Sequence, residues 1–381
     1  MWYFLLIILG IWRIFLLSLS YFGSIIIPIF GDRFPYWREL LASSNLPPWI
    51  WSFGNFDGVH YITIAKSGYS AQFTQAFFPL YPILMHFFSF GNYLSGGILI
   101  SNLFLLLAVY LFSKLLLIDY GSHDVKWILL FFLFYPFSFF FGSVYNESLF
   151  LVFVFSSFYF ARKHNWLGAG IMGALASATR LVGVFLLPAL IWEWCVQIKN
   201  QKLKIKNTSK NSKIFSFIPL LIIPVGLLIY MIFLQFKFGD WLYFIHAQPY
   251  FGASRTAGEI ILLPQVIIRY FKMFVTVSPK NYDFWVAVWE FLSLVISSGL
   301  LVISYFRKVR LSYIIFSIFA IFTPTLTGTL SSLPRYTLVA FPIFISLGMI
   351  KSEWLKGIFI VISILLLFLF TMLFTRGYWV S

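Results

Sequence analysis

The sequence predicts an all-α, polytopic membrane protein, and three observations carry that prediction. Hydrophobic residues make up 61% of the 381 residues and charged residues only 10%, against about a quarter charged in a soluble domain. The apolar residues fall in continuous runs, many of which reach the roughly 17–25 residues needed to span hydrocarbon. Those runs do not alternate polar with apolar, which excludes an outer-membrane barrel. The formal charge of +15 lies mostly in short loops between apolar runs, a pattern that encodes topology and not nucleic-acid binding. The single cysteine, Cys195, excludes an internal disulfide and any cysteine-cluster metal site.

Eleven spans are expected, at about 2–30, 95–118, 126–145, 147–161, 166–179, 182–196, 215–236, 285–306, 311–328, 336–350 and 357–374. The first is too long for a signal-peptide core and has no small-residue cleavage site behind it. The stretch KNQKLKIKNTSKNSK, Lys199 to Lys213, carries six lysines and no acid, so the positive-inside rule places it in the cytoplasm. Arg307, Lys308, Arg310, Lys351 and Lys356 mark further inside loops. The run FFPLYPILMHFFSF, Phe77 to Phe90, is about fourteen residues long, which favours an interfacial or re-entrant segment over a span. Fifteen of the 27 basic residues are then cytoplasmic and eleven outside. In the alternative, Phe77–Phe90 crosses and 166–196 is one long helix; the bias then reverses. The preferred reading brings Asp57, Glu147, Arg180, Arg255 and Arg335 to one outer face. No equally rich polar set is expected on the cytoplasmic side.

The whole chain, 1–381, reads as one transmembrane domain with outer loops 31–94 and 237–284 and a basic cytoplasmic loop 197–214. Within the second outer loop, EIILLPQVIIRYFKMF repeats its apolar residues at helical spacing and reads as a surface-lying amphipathic helix. Arg269 and Lys272 on it read as headgroup anchors.

Only twelve acids exist, so each can be weighed. Asp57, in NFDGVHYITIAKSGY, reads as an N-cap and also as a general base beside an aromatic floor; capping can hold a base in place. His60 follows three residues later and is by itself more often structural than a ligand. No histidine shows metal-ligand spacing, and no metal centre is expected. Gly68 ends the helix with a positive φ. Glu147 is either a helix N-terminal acid favoured by the dipole or part of a polar site, since an ionisable group beside hydrocarbon is otherwise costly. Asn146-Glu147-Ser148 also matches a glycosylation sequon close to the membrane. Arg180 interrupts an apolar run and must snorkel, pair or line a wet cavity. Arg180, Arg255 and Arg335 offer planar donor forks that suit a phosphate-bearing lipid.

These residues carry a family resemblance. FDGVHYITIAKSGY followed by AFFPLYP resembles the first-loop signature of the PIG-V-type mannosyltransferases, members of the GT-C membrane glycosyltransferases. YPFSFFFGSVYNESLF through GALASATRLVGVFLLP is similar to the family's second block, with its Tyr-x-Glu-Ser and Ala-x-x-x-Arg elements. LPRYTLVAFPIF resembles the late Pro-Arg-Tyr element, and HAQPYFGASR, from His246 through Gln248 to Arg255, a Gln-aromatic-Arg outer loop. Phe56 stands where Trp usually precedes the Asp.

The resemblance implies a GT-C-like bundle of about eleven transmembrane helices with re-entrant and juxtamembrane helices. It implies transfer of a sugar, mannose in the first place, from a polyprenyl-phosphate-sugar donor, inverting, on the non-cytoplasmic face, with Asp57 as base. The expected partners are the bilayer, that donor, and a lipid- or glycan-borne hydroxyl acceptor. His60, Glu147, Arg180, Gln248, Arg255 and Arg335 are the expected substrate and phosphate ligands. No cofactor is expected. Brief loops without an appended domain suggest a prokaryotic cell-membrane member. The runner-up is a polyprenol-linked glycolipid flippase that makes no bond; a membrane subunit working with a small partner is a third reading.

Overall fold

The computed structural model describes residues 1–32, 34–204 and 215–381. Most of the basic loop expected at 197–214 therefore lies outside the described residues. Among the described residues helix is the only regular structure.

Helix α1 (Trp2–Ile26) has 25 residues and rises about 37 Å, enough for a hydrocarbon core of roughly 30 Å. Arg13 lies inside it and is satisfied within the bundle: its guanidinium donates to the Gly142 carbonyl at 3.2 Å and lies 4.6 Å over the Phe53 ring. After two single-turn helices, Trp37–Leu40 and Pro48–Trp51, come α2 (Asp57–Ser67) and α3 (Leu80–Phe88). The Phe77–Phe90 run yields only the nine residues of α3, about 13 Å, well short of a crossing. Pro79 and Pro82 sit at its N-cap and in its first turn, where a missing N–H costs little. His86 Nδ1 meets the Ala65 carbonyl at 2.7 Å and ties α3 to α2. Gly68, φ +65°, ends α2 as expected.

Helix α4 (Tyr93–Leu116) starts at Asn92, whose side chain accepts from the Ser95 N–H. Then come α5 (Ser122–Leu133), α6 (Glu147–Arg162), α7 (Trp166–Thr179) and α8 (Leu186–Lys204). Arg180 has extended backbone, φ −154° and ψ 145°, and α7 ends there. The chain turns back through a short 3₁₀ segment, Leu181–Phe185, into α8. The single long helix over 166–196 that the alternative topology requires does not form. The longer helices that follow are α9 (Val225–Phe238), α10 (Leu263–Thr276), α11 (Tyr282–Phe306), α12 (Leu311–Thr325), α13 (Pro342–Gly348) and α14 (Glu353–Thr375).

Among the described residues, six segments are long and apolar enough to cross a membrane: Trp2–Ile26, Tyr93–Leu116, Leu181–Lys199, Ser216–Phe238, Tyr282–Phe306 and Glu353–Thr375. The helices in the other five expected spans are shorter, from the seven residues of α13 to the sixteen of α6. Of these, α6 and α13 are buried along almost their whole length, while α7 and α12 each keep an exposed apolar edge, at Leu167 and Ile171 and at Ile318 and Phe319. Phenylalanines interlock around α6, where Phe155 stacks on Phe112 of α4 at 4.4 Å. Close backbone approach needs glycine at two places. A Cβ at Gly170 would stand 2.1 Å from the Pro219 carbonyl oxygen, and one at Gly226 2.0 Å from that of Ala174. Small residues thus let α7 and the 219–226 segment touch.

The amphipathic α10 buries Val266 and Tyr270 and exposes Ile268, Phe271 and Val275. Lys272 is exposed. Arg269 departs from its expected anchoring role: it turns inward and donates to the Gly328 carbonyl at 3.1 Å.

Charged side chains gather at both ends of α6. Glu147 opens this helix of 16 residues and Arg162 closes it, about 24 Å away. At the Arg162 end, Asp119 and Glu193 meet Arg162 and Arg310. Arg310 donates twice to Asp119, at 2.9 and 3.0 Å, and once to Glu193 at 3.2 Å, while Ser312 donates to Glu193 at 2.8 Å. The expected absence of a second rich polar set is therefore corrected. Its members come from separate segments of the chain, and only the packing of α6, α8 and α12 brings them together.

Candidate active site

The site grows from three residues, Asn55, Phe56 and Asp57. Phe56 adopts φ 58°, ψ −115°, a conformation that costs a non-glycine residue on the order of 1–3 kcal/mol and persists only where the surroundings enforce it. Tyr145 enforces it, donating to the Asn55 carbonyl at 3.0 Å and accepting from the Asp57 N–H at 3.3 Å. Asn55 donates to the Phe374 carbonyl at 2.8 Å. The Phe56 ring packs against Phe34, Phe374 and Trp379, with centroids 4.6, 5.7 and 5.1 Å away. The aromatic at 56 thus acts as a wedge that turns the chain into α2.

Asp57 is the first residue of α2 and not its cap; Phe56 occupies the cap position and no side chain caps the helix. The N-cap expectation is corrected, because the carboxylate is claimed by a partner distant in sequence. Asp57 Oδ2 accepts from Arg335 Nη1. Arg335 sits in a four-residue turn, Leu333–Tyr336, and its backbone N–H donates to Ser381 Oγ at 3.1 Å.

Arg335 also places Nε 3.5 Å from Glu147 Oε1, and Glu147 Oε1 accepts from Arg180 Nη1 at 2.9 Å. Asp57, Arg335, Glu147 and Arg180 thereby form one alternating chain of charge. Side-chain exposures of 16% and 11% for Asp57 and Arg335, and 1% and 9% for Glu147 and Arg180, put it largely out of water. Aromatic faces carry the cations. Arg335 lies 5.3 Å over Tyr145, and Arg180 lies 5.2 Å over Tyr336. Glu147 Oε2 is buried with no hydrogen-bond partner, as are Arg335 Nε and, beside the charged chain, Asn55 Oδ1.

Burial pushes the Asp57 carboxyl up, but the charge and hydrogen bond of Arg335, with His60 and Arg255 behind them, outweigh it and hold it below the usual carboxylate range. His60, one turn along α2, lies between the rings of Phe77 and Phe251, at 5.0 and 5.2 Å. Its burial lowers the imidazole from its ordinary value despite the opposing charge of Asp57. Arg255 reaches Ser331 and Ser332 Oγ at 3.4 and 3.3 Å, and its charge is felt at Asp57.

Of the residues expected from sequence, Asp57, His60, Glu147, Arg180 and Arg335 come together, with Arg255 at the margin. Gln248 does not join the charged chain: its Nε2 donates to the Phe244 carbonyl at 3.2 Å in its own segment, and its neighbour Phe251 is the residue that reaches His60. The sequon fares likewise, since Asn146 is buried with its amide on the Thr179 carbonyl at 3.0 Å. Among the described residues no three His, Cys, Asp or Glu side chains converge as metal ligands. Sequence reasoning missed Tyr145, although it stands two residues before Glu147. It also missed Glu290, an acid within an apolar run, which is itself the signal for a functional group.

Fold and site together define a multi-pass helical membrane protein with a buried acid–arginine cluster at one end of its bundle. Comparison with known families supplies the class. The profile of the family described as Mannosyltransferase (PIG-V) matches residues 41–253, more than half of the chain. The chain belongs to that family and is a membrane mannosyltransferase, hence a glycosyltransferase. No curated protein matches it. The matched segment contains Asp57, His60, Glu147, Arg180 and Gln248; Arg255 and Arg335 lie beyond it.

Proposed function

We propose that this protein transfers mannose from a polyprenyl-phosphate-mannose donor to a hydroxyl of a lipid- or glycan-borne acceptor, at the extracytoplasmic face of a prokaryotic cell membrane. Asp57 takes the acceptor proton as its oxygen attacks the anomeric carbon. The bond from that carbon to the phosphate oxygen breaks, and the polyprenyl phosphate leaves as an anion. A single displacement inverts the anomeric centre. Phosphate is a stable leaving group, so cationic stabilisation matters more than protonation, and Arg335, Arg180 and Arg255 supply it.

The observation that carries this reading is Arg335 held on Asp57. A carboxylate paired with a guanidinium is a weak base. An incoming phosphate competes for the guanidinium and leaves the carboxylate free to accept a proton, so donor binding arms the base. Neutral His60 lines the sugar side, and the unpartnered oxygen of Glu147 accepts a substrate hydroxyl. The five shorter expected spans complete their crossings within the bundle, giving eleven in a GT-C-like arrangement.

Asp57→Asn is the test, with purified protein in proteoliposomes, a mannose-labelled polyprenyl-phosphate donor and extracted membrane glycolipids. Loss of a positioned base lowers the rate by about 10²–10⁴-fold; near wild-type transfer by a well-folded Asp57→Asn protein refutes the assignment. The same assay separates a flippase, which would move the donor without forming product. The charged cluster at the Arg162 end is the observation that favours transport. Its four members pair with one another, which suits a brace between helices better than a path.

A further inference from the structure

Arg335 is delivered to the site by the loop 326–332, and that loop is stitched to the segment ahead of α11 at many points. The Thr256 N–H donates to the Thr327 carbonyl at 2.9 Å and the Ile261 N–H to the Leu326 carbonyl at 3.0 Å. Arg269 holds the Gly328 carbonyl. At the centre is a buried junction that the proposed chemistry does not use. Tyr270 of α10 donates to Glu290 Oε2 of α11 at 2.5 Å. The same hydroxyl accepts from the Leu330 N–H at 3.0 Å and lies 3.3 Å from Thr329 Oγ1. Thr329 Oγ1 in turn accepts from the Ser331 N–H at 3.1 Å. Glu290 also faces the Ser332 N–H and the Arg255 charge. Ser332 takes φ +68° and starts the turn that carries Arg335.

A buried acid within a span is costly unless it is paired and put to use. Here its partners are the loop's own backbone and the interfacial helix. We propose that Tyr270 and Glu290 are positioning residues, which lock the 326–332 loop onto α10 so that Arg335 is presented to Asp57 and Glu147. This rests on the proposed roles of Asp57 and Arg335.

The test is a double-mutant cycle on the full chain in proteoliposomes, with a mannose-labelled polyprenyl-phosphate donor. Tyr270→Phe removes one oxygen and keeps the ring. It is expected to lower transfer at saturating donor about tenfold in the wild-type background, and less than twofold in an Arg335→Lys background, where the guanidinium fork it positions is already gone. A loss of equal factor in both backgrounds, or no loss in either, overturns the inference. Glu290→Gln, which preserves shape, must show the same dependence on background; if it loses activity equally in both, the proposal fails for Glu290. Should Asp57→Asn remain active, the reading of the site fails first, and the two failures are thereby distinguished.

Discussion

Replacing Glu147 by Gln removes one negative charge from between two buried guanidinium groups. With Arg180 Nη1 at 2.9 Å and Arg335 Nε at 3.5 Å, the charge centres lie about 4 Å apart, and each attraction is worth about 4 kcal/mol at an effective dielectric constant near 20. Relief of the carboxylate's own desolvation offsets part of this. Breaking a buried pair by removing one partner costs about 3–5 kcal/mol net, and that is the loss expected for Glu147→Gln. Unfolding of the purified protein in detergent measures it. The decisive arm is Glu147→Gln with Arg180→Met, which leaves no surplus cation. It should recover about 2–3 kcal/mol relative to the sum of the two single changes. If Glu147→Gln is as stable as wild type, or the double change is merely additive, Glu147 is not the electrostatic keystone between Arg180 and Arg335.

Further outcomes follow from other parts of the molecule. Asp57 titrates below the usual carboxylate value of about 3.9, so kcat/KM should show no acid limb above about pH 5 from this group; a limb above that value argues that Arg335 does not hold Asp57 in the free enzyme. His60 has a lowered folded value, so the stability it contributes is present above the unfolded value of about 6.5 and lost as pH falls through the folded one; His60→Phe should flatten that part of a stability–pH curve. Gly226→Ala forces a methyl against the Ala174 carbonyl and should destabilise by about 1–3 kcal/mol, whereas Gly10→Ala, with nothing within 4 Å of its Cβ, should stabilise by about 0.5–1 kcal/mol; comparable unfolding midpoints for the two would refute the close helix contact. In a glycosylating host, Asn146 should remain unmodified, as read by gel shift on glycosidase treatment.

Much of the architecture was legible because a membrane helix writes itself into composition. Asp57 and Glu147 could be singled out because acids are scarce in this chain, and Arg180 because it breaks an apolar run. The sequence could not show that Arg335 would meet Asp57 across 278 positions of chain, nor that Tyr145 would bridge the peptides on either side of Phe56. Gln248 looked like a ligand beside its aromatic neighbours, yet a local carbonyl captures its amide. The brace of Asp119, Arg162, Glu193 and Arg310 was hidden for the same reason: its members come from four separate segments, and periodicity reports on one segment at a time.

The separation of Asp57 from Arg335 bears on how the protein is made. A chain emerging from the ribosome presents the acids at 57 and 147 well before residue 335 exists, so Arg180 is the first cation that can neutralise either of them inside the nascent bundle. The charge balance of the site closes only when the last third of the polypeptide has been synthesised and folded back. Until residue 335 exists Asp57 lacks the guanidinium that hydrogen-bonds it in the folded protein, so substitutions at 335 should be felt as defects of biogenesis as well as of turnover.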